Sequence, residues 1–455
     1  MSKFFFLFGG VLLAATPFAV KDYRDVSSRL IGAALTDDAG LARLQYLCDR
    51  IGNRVSGSAA LEKAIAWAEQ EMKRAGLENV RTIPVKVPHW VRGNESLTML
   101  EPLARPIAMT SLGNSVGTSA GGIEAEVVVV SNFDELEKLG RDKIAGKIVL
   151  YDAPYVSYGE TVTYRSNGPA RAAALGAVAA LVRSITPVSL RDPHTGATNY
   201  KDGVPKIPAA AVSLEDAMAI ARLTATGEHV RVKLQMDAQM LPQADSADVM
   251  GEIRGREKPD EVVVLGGHID SWDIGQGAQD DGSGIMAAMQ AVVLMKQLNI
   301  RPRRTVRVVF WTNEENGAAG GRAYRDWLGA AGIKNHVAAI EMDEGAERPV
   351  GFDFGWEGAT EAAFQRAAGV ASLLEGIDAI RITKGEGGTD INPLTQAGVP
   401  SFGLRTTGLH YFDWHHSNAD TFDKVNPHDF RLNIAALSVL SYTLAEMPER
   451  LGDLR

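Results

Sequence analysis

The sequence predicts an α/β fold with a mixed, mostly parallel central sheet flanked by helices. From about residue 249 onward, short apolar runs alternate with helical segments, a pattern typical of strands joined by crossover helices. These runs occur at 262–265, 306–311, 337–340, 377–382 and 400–404. The fourth run contains Asp378 and Arg381, so it is the least regular of the five.

The first half of the chain mixes helical and strand patterns. Residues 59–75 place their apolar side chains on one stripe, which predicts an amphipathic helix, and residues 80–91 predict a strand that contains two prolines. Residues 120–245 combine apolar runs with an alanine-rich helix, and they hold no cluster of histidines and carboxylates. We therefore expect a separate unit there, and we interpret His194 and His229 as surface or loop histidines.

Composition limits the classes of function. The 455 residues suffice for two or three domains of roughly 100–200 residues each. The net charge of −9 argues against a nucleic-acid-binding surface, which needs clustered Lys and Arg. Cys48 is the single cysteine of the sequence, so an internal disulfide is impossible. Any metal must therefore be bound by histidines and carboxylates.

The N-terminus has the pattern of a secretory signal. Lys3 precedes residues 4–15, which are apolar apart from two glycines and are too few to cross a membrane. We predict a signal peptide at 1–19, a secreted or periplasmic mature protein and no stable membrane insertion. An uncleaved anchor is the alternative.

Histidine and carboxylate side chains follow three predicted strands and occupy two loops. The carboxyl ends of parallel strands meet at one edge of a sheet, so these side chains should converge there. The residues concerned are His268, Asp270, Asp280, Glu314, Glu315, Asp343, His415 and His416. Each alone could cap a helix, form a turn or lie on the surface. Together, without a metal, the carboxylates would repel one another and lose hydration.

The residue types favour zinc. Imidazole and carboxylate without thiolate suit Zn²⁺, with Mn²⁺ or Co²⁺ less favoured. Even two of these histidines and three of these carboxylates are more ligands than one tetrahedral ion that keeps a water can use. They suit two ions about 3.5–4 Å apart that share one carboxylate. In the adjacent Glu314–Glu315 pair, one glutamate can then bind metal while the other accepts a proton from water.

Five segments in this order resemble the family of di-zinc aminopeptidases and carboxypeptidases: GGHID, GAQDDGSG, TNEENG, EMDEG and HHSNADT. The segments KIAGKIVLYDAP and YRSNGPARAAALGAVAALV resemble the protease-associated domain inserted in many members. GGTDINPLTQAGVP, residues 387–400, is most similar to the plasma glutamate carboxypeptidase branch. Many aminopeptidase relatives have a histidine where this chain has Ile391.

The resemblance implies a phosphorylase/hydrolase-like zinc peptidase fold with an inserted, β-rich protease-associated domain. The implied divisions are a signal peptide at 1–19, an N-terminal part of the peptidase domain at 20–119, the insert at 120–245 and the di-zinc catalytic domain at 246–455.

The resemblance also implies two zinc ions per chain. Carried over by position, one ion is bound by His268, Asp280 and Asp343. The other is bound by Glu315, His416 and the same Asp280, which bridges the two.

Further roles follow from the resemblance. Glu314 is the expected general base and later the proton donor to the leaving amine. His415, where relatives often have Tyr, is expected to help stabilise the oxyanion. The remaining expectations concern Asp270 and Asp420, which would orient His268 and His416; Thr389 and Asp390, which would grip substrate ends; and Asp281 and Glu344, which would be structural.

The expected function is hydrolysis of dipeptides or short peptides by a zinc exopeptidase, and the resemblance also implies a homodimer. The main alternative is a co-catalytic zinc amidohydrolase that acts on acylated amino acids, although such enzymes usually carry their lid domain later in the chain. A non-enzymatic binding module would be expected to lose ligands, and a cyclase-like acyl transferase would not need both zinc sites. Amino- versus carboxypeptidase specificity stays open.

Overall fold

Two eight-stranded sheets organise the protein. The computed structural model describes residues 19–454, so the predicted signal peptide lies outside the described residues except for its last position. The strands are β1 (Glu78–Val91), β2 (Glu95–Glu101), β3 (Arg105–Ile107), β4 (Met109–Ser111), β5 (Ile123–Val130), β6 (Ile148–Tyr151), β7 (Ala179–Arg183), β8 (Ala209–Val212), β9 (Arg231–Met236), β10 (Gln239–Ile253), β11 (Lys258–His268), β12 (Arg304–Trp311), β13 (His336–Glu341), β14 (Pro349–Gly355), β15 (Arg381–Lys384) and β16 (Ser401–Thr406).

Helices flank both sheets. They are α1 (Arg24–Leu35), α2 (Ala39–Tyr46), α3 (Ala59–Arg74), α4 (Phe133–Ile144), α5 (Tyr158–Thr161), α6 (Thr163–Ser166), α7 (Gly168–Ala174), α8 (Leu214–Ala225), α9 (Ser283–Gln297), α10 (Ala319–Asn335), α11 (Glu361–Ala371), α12 (Asn392–Thr395), α13 (Tyr411–Trp414) and α14 (Pro427–Glu446). In the part of the chain that the structure describes, no helix is both long enough and apolar enough to cross a membrane.

The first sheet has the order β1-β10-β12-β11-β13-β16-β14-β15. Its centre, β12-β11-β13-β16, is parallel, whereas β10 and β14 join it antiparallel. The predicted mixed α/β class is therefore confirmed. Side chains alternate along β11: Val263 and Leu265 pack in the core that contains α9 and α14, while Val262 and Val264 pack on the side of Tyr324 in α10. Burial on both faces explains the continuous apolar runs of these strands.

The irregular fourth run does not form the predicted strand. Residues Ser372–Ile377 form a 3₁₀ helix, and Asp378 has a positive φ of 57°. The strand β15 begins only at Arg381, at the edge of the sheet. Within this run Ile377 and Ala379 are buried in the main core, whereas Ile380 is exposed.

The second sheet has the order β3-β2-β9-β5-β6-β7-β8-β4 and draws on residues 95–236. Its strands therefore begin before residue 120, where the insert was expected to start, and the long β10 returns the chain to the first sheet. β7 and β8 are rich in alanine and buried except for Arg183 at the end of β7, and their small side chains let α7 and α8 pack closely. Trp90 and Trp272 meet edge to face, with ring centroids 6.4 Å apart, in this unit's core.

Candidate metal centre

The predicted strand ends converge at one edge of the first sheet. His268 is the last residue of β11, Glu315 follows β12 by four residues, and Asp343 follows β13 by two. Loops before α9 and after α13 add Asp280 and His416. The structure thus brings all five expected ligand residues together.

Asp280 stands between two histidines. One of its carboxylate oxygens lies 3.1 Å from Nε2 of His268, and the other lies 3.1 Å from Nε2 of His416. On the first side, Oδ1 of Asp343 is 3.4 Å from Nε2 of His268. On the second side, Oε2 of Glu315 is 3.0 Å from Nε2 of His416. Two triads of donor atoms therefore share one carboxylate.

These donors fit zinc. Zinc–ligand bonds of about 2.0–2.2 Å in a tetrahedron place the ligand atoms about 3.3–3.6 Å apart, close to the 3.0–3.4 Å observed within the two triads. Nε2 of His268, Oδ2 of Asp280 and Oδ1 of Asp343 are buried and have no hydrogen-bond partner among the described residues. Buried polar atoms are normally satisfied, so a cation is the partner that this geometry supports.

The electrostatics lead to the same conclusion. Burial alone would raise the pKa of Asp280, but the imidazoles of His268 and His416 outweigh it and hold that pKa well below its usual value. Burial, assisted by Asp280, raises the pKa of Glu315 to about 8. Burial also raises the pKa of Asp343 to about 6, although His268 opposes it. Such a cluster of buried carboxylates is costly unless positive charge compensates it.

Both ligand histidines donate through Nδ1 to backbone carbonyls. Nδ1 of His268 donates to the carbonyl of Asp270 at 3.0 Å. Nδ1 of His416 lies 3.3 Å from the carbonyl of Thr195, to which it can donate, and also 3.3 Å from Nη1 of Arg165. This arrangement leaves Nε2 free on the side of the carboxylates, as a metal ligand requires. Thr195 belongs to the second-sheet unit, so that unit orients one of the two imidazoles.

Asp270 contacts His268 through its backbone carbonyl, and its Oδ1 lies 3.9 Å from Nδ1 of that histidine. The carboxylate of Asp270 accepts from the backbone N–H groups of Glu314 at 3.1 Å and Glu315 at 3.4 Å, so it positions the glutamate pair. The expectation that Asp420 orients His416 is wrong. Its carboxylate instead accepts from the N–H groups of residues 278–280 at 2.7–3.2 Å. The family resemblance implied a side-chain partner for His416, but Asp420 contacts the loop that carries Asp280 instead.

Asp281 and Glu344 adjoin ligands. Asp281 accepts from the N–H of His268 at 3.1 Å and from that of Gly284 at 3.0 Å, which agrees with the expected structural role. Glu344 forms an ion pair with Arg405 and lines the cavity described next.

A cavity of about 340 Å³ opens onto the two triads. Half-buried Glu314 lines it, as does Thr389. Asp390 does not line the cavity, because its side chain is only 1% exposed. Neither of its carboxylate oxygens has a hydrogen-bond partner among the described residues, and burial together with nearby Glu341 raises the pKa of this carboxyl group. A direct grip of Asp390 on substrate is therefore not what the structure shows.

His415 forms one wall of the cavity. Its ring stacks on that of His416, with centroids 3.5 Å apart, and its Nε2 lies 3.4 Å from Oδ2 of Asp280. Burial and neighbouring His416 lower the pKa of His415 well below its usual value. The ring is therefore neutral at pH 7.

Tyr158 and Arg165 of the second-sheet unit also line the cavity, and the sequence did not predict this. Nη1 of Arg165 donates to the carbonyl of Thr195 at 3.1 Å, and Nη2 donates to the hydroxyl of Tyr158 at 2.8 Å. In the described part of the chain, Arg165 is the one lysine or arginine that lines this cavity. No local pattern distinguishes it, because its role depends on how one sheet packs against the other.

His194 was also misjudged. It was interpreted as a surface or loop histidine, yet it is 2% exposed. Burial lowers its pKa to about 3. It lies in the chain next to Thr195, inside the contact between the two sheets.

Comparison with known proteins agrees with the geometry. Residues 248–440 match the family described as Peptidase family M28. Carboxypeptidase Q of Mus musculus is 41% identical over 435 residues, which are 95% of this chain and 92% of the relative. Carboxypeptidase Q of Homo sapiens is 42% identical over 430 residues, 94% of this chain and 90% of the relative.

Solved structures show the same relationship. A peptidase M28 precursor from Shewanella amazonensis superposes with a TM-score of 0.92 at 32% identity, covering 96% of this chain and all of that one. A zinc aminopeptidase from Bacillus subtilis shares the fold, with a TM-score of 0.69 at 19% identity over 91% of this chain and 97% of that one. The chain therefore belongs to peptidase family M28 and is a metallo-exopeptidase.

Proposed function

We propose that the protein binds two zinc ions and hydrolyses dipeptides or short peptides that have a free C-terminal carboxylate. The observation that carries this proposal is the sharing of Asp280 by two donor triads. One triad consists of His268, Asp280 and Asp343. The other consists of Asp280, Glu315 and His416. Zinc, when bound, acts as a Lewis acid and brings the pKa of a water to about 7.

Glu314 acts as the general base. It lines the cavity beside the triads, and Asp270 fixes its backbone through the N–H group. It accepts a proton from the attacking water and returns that proton to the departing amine. A positioned base of this kind contributes about 10²–10⁴-fold to the rate.

His415 stabilises the negative charge that develops on the scissile carbonyl. It lines the cavity, and its Nε2 lies 3.4 Å from Oδ2 of Asp280, so in the tautomer with a proton on Nε2 it can donate a hydrogen bond beside the triads. Removing one such donor costs about 10²–10³-fold in kcat in well-studied hydrolases.

Arg165 binds the C-terminal carboxylate of the substrate. The wall of the cavity is otherwise rich in carboxylates, and Arg165 is the one lysine or arginine among the described residues that lines it. Guanidinium groups recognise carboxylates in a planar, two-pronged geometry. The cavity of about 340 Å³ lies near the lower end of the usual 300–1,000 Å³ range of small-molecule sites, which favours short substrates.

A dipeptide panel with free and amidated C-termini tests this function, using chelated and zinc-restored protein. We expect zinc-dependent cleavage of the free acids and a KM at least about tenfold higher for the amides, because a lost charge-assisted contact costs about 1.5–3 kcal/mol. In R165K this difference should shrink. Preference for amides would contradict the carboxylate assignment.

N-acylated amino acids belong in the same panel, because they also carry a free carboxylate. Their cleavage without dipeptide cleavage would favour the co-catalytic amidohydrolase.

The proposal also includes export to the periplasm or cell exterior and a homodimer. Cell fractionation with mass spectrometry of the mature N-terminus tests the first, and light scattering tests the second.

A further inference from the structure

The loop that carries Asp280 has a separate set of buried partners. This loop, Gln276–Asp280, precedes α9 and presents backbone carbonyls on one side and N–H groups on the other. Gly277 adopts a positive φ of 57°, and a side chain there would collide with neighbouring groups. The carbonyl of Gly277 accepts from the N–H of Gly282 at 3.0 Å, and side chains from other segments satisfy further backbone groups of the loop.

Arg54 satisfies the carbonyl side. It is 0% exposed, and its guanidinium donates to the carbonyls of Gln276 at 2.7 Å and Gly277 at 3.0 Å. It also donates to the carbonyl of Ile269 at 2.7 Å, the residue directly after the ligand His268. One arginine therefore connects the chain segments that supply two of the three residues of the first triad, His268 and Asp280.

Asp420 satisfies the opposite side. One carboxylate oxygen accepts from the N–H groups of Ala278 at 3.1 Å and Gln279 at 2.7 Å, and the other accepts from that of Asp280 at 3.2 Å. Its own carbonyl accepts from the N–H of Gln276 at 2.7 Å. Asp420 follows His416 by four residues, so it connects the loop to the segment of the second triad.

The burial of Arg54 is not explained by a gain in folding stability alone. Among the described residues, Arg54 has no carboxylate within ion-pair distance and donates only to neutral carbonyls. A buried, unpaired cation carries a desolvation cost that neutral side chains would avoid. The fixed plane of a guanidinium, however, offers donors in directions that a lysine cannot reproduce. The arrangement therefore favours geometric control over packing.

We propose that Arg54 and Asp420 are positioning residues that clamp the loop from its two sides, hold the shared Asp280 between both histidines, and thereby set the affinity of both zinc ions together. The inference rests on the proposed function, since it presumes a two-ion centre. Neither side chain touches substrate. Their effect passes through the backbone of Gln276–Asp280.

The chain offers a matched control for Arg54. Arg304 is also 0% exposed, and its guanidinium donates to the carbonyls of Met447 and Pro448 and to Glu261. It connects the start of β12 to the C-terminal segment, at the end of the strand opposite to the ligands. R54K and R304K thus make the same change at two equally buried sites.

The experiment measures thermal stability and the affinities of both zinc sites, by competition with a chelator, in wild type, R54K, R304K and D420N. Cobalt-substituted protein supplies a spectrum of the ligand field. We expect both arginine variants to lose stability. R54K and D420N should lose about 10–100-fold in affinity at both sites, as loss of metal-supporting contacts does, with an altered cobalt spectrum. R304K should retain wild-type affinity and spectrum.

If R54K does not fold, D420N against R304K carries the comparison. Folded R54K and D420N with the affinities and cobalt spectrum of R304K would overturn the inference. Weakening of one ion alone would also overturn it, because the shared Asp280 requires both to weaken. A wild-type protein that binds no zinc would instead refute the proposed function, and the inference with it.

Discussion

The two halves of the centre are built differently. The His268 half takes its imidazole from the end of β11, its carbonyl partner from Asp270 two residues later, and its carboxylate Asp343 from the neighbouring β13. The His416 half takes its imidazole from a loop after α13, and its carbonyl partner Thr195 comes from the second-sheet unit. One half depends on one sheet, whereas the other depends on how two sheets pack together.

This difference explains what each half contributes. Strand ends of a parallel sheet are fixed by the ladder of hydrogen bonds, so the His268 half is rigid by construction. The His416 half adjoins Tyr158 and Arg165, which line the cavity where substrate would enter. The second-sheet unit thus positions a ligand and shapes the substrate site at the same point.

Substitution of the shared Asp280 should abolish the binding of both zinc ions. In D280N the carboxylate that faces both histidines loses its charge and one acceptor oxygen. We expect loss of both ions and activity at background level, whereas D343N should weaken the His268-side ion far more than the other. Zinc content after dialysis and residual dipeptide hydrolysis measure this. Retention of one tightly bound ion in D280N would contradict the sharing.

Glu314 separates chemistry from metal binding. E314Q keeps the shape of the side chain but cannot accept a proton, so kcat should fall about 10²–10⁴-fold while both ions stay bound. Steady-state kinetics and metal analysis of the same preparation measure both quantities. Full activity with both ions present would refute the general-base role.

Asp192 tests the dependence of the His416 half on the second sheet. Its carboxylate accepts from the side chain of Asn418 and the N–H of Ala419, each at 3.0 Å, just after His416. D192A should weaken the His416-side ion about tenfold and leave the other unchanged. Exposed Asp202 supplies the control variant D202A. Equal weakening of both ions by D192A would show that the halves are not independent.

His336 provides the smallest expected effect and a reference outside the centre. It lies at the start of β13, Tyr324 contacts it at 2.9 Å, and burial lowers its pKa to about 3. The unfolded chain binds a proton below pH 6.5 and the folded chain does not. The contribution of His336 to the free energy of unfolding is therefore fully present above pH 6.5. It decreases as the pH falls from 6.5 towards 3, by up to about 1.4 kcal/mol per pH unit.

Denaturant unfolding of wild type and H336Q at pH 7.5 and 5 measures this effect, with exposed His428 replaced in H428Q as the control. The stability difference between wild type and H336Q should narrow at pH 5, and that for H428Q should not. Other titrating groups cancel because they are common to all three proteins. A constant difference for H336Q would contradict the assignment.

The sequence predicted most of the first half and less of the second. Continuous apolar runs placed β11, β12 and β13, and the residues after them converge as expected. The antiparallel β14 and the roles of Arg165, Thr195 and Asp420 were not predicted. These depend on contacts between segments far apart in the chain, for which local pattern gives no signal. Arg54 illustrates this, because three of its four carbonyl partners lie more than 200 residues away in the chain.

Anomalous diffraction at the zinc edge, from crystals of the zinc-loaded protein, tests the central claim most directly. We expect two peaks about 3.5–4 Å apart, one beside His268 and Asp343, the other beside His416 and Glu315, with Asp280 between them. A single peak, or two peaks with Asp280 bound to only one, would contradict a two-zinc centre that shares Asp280.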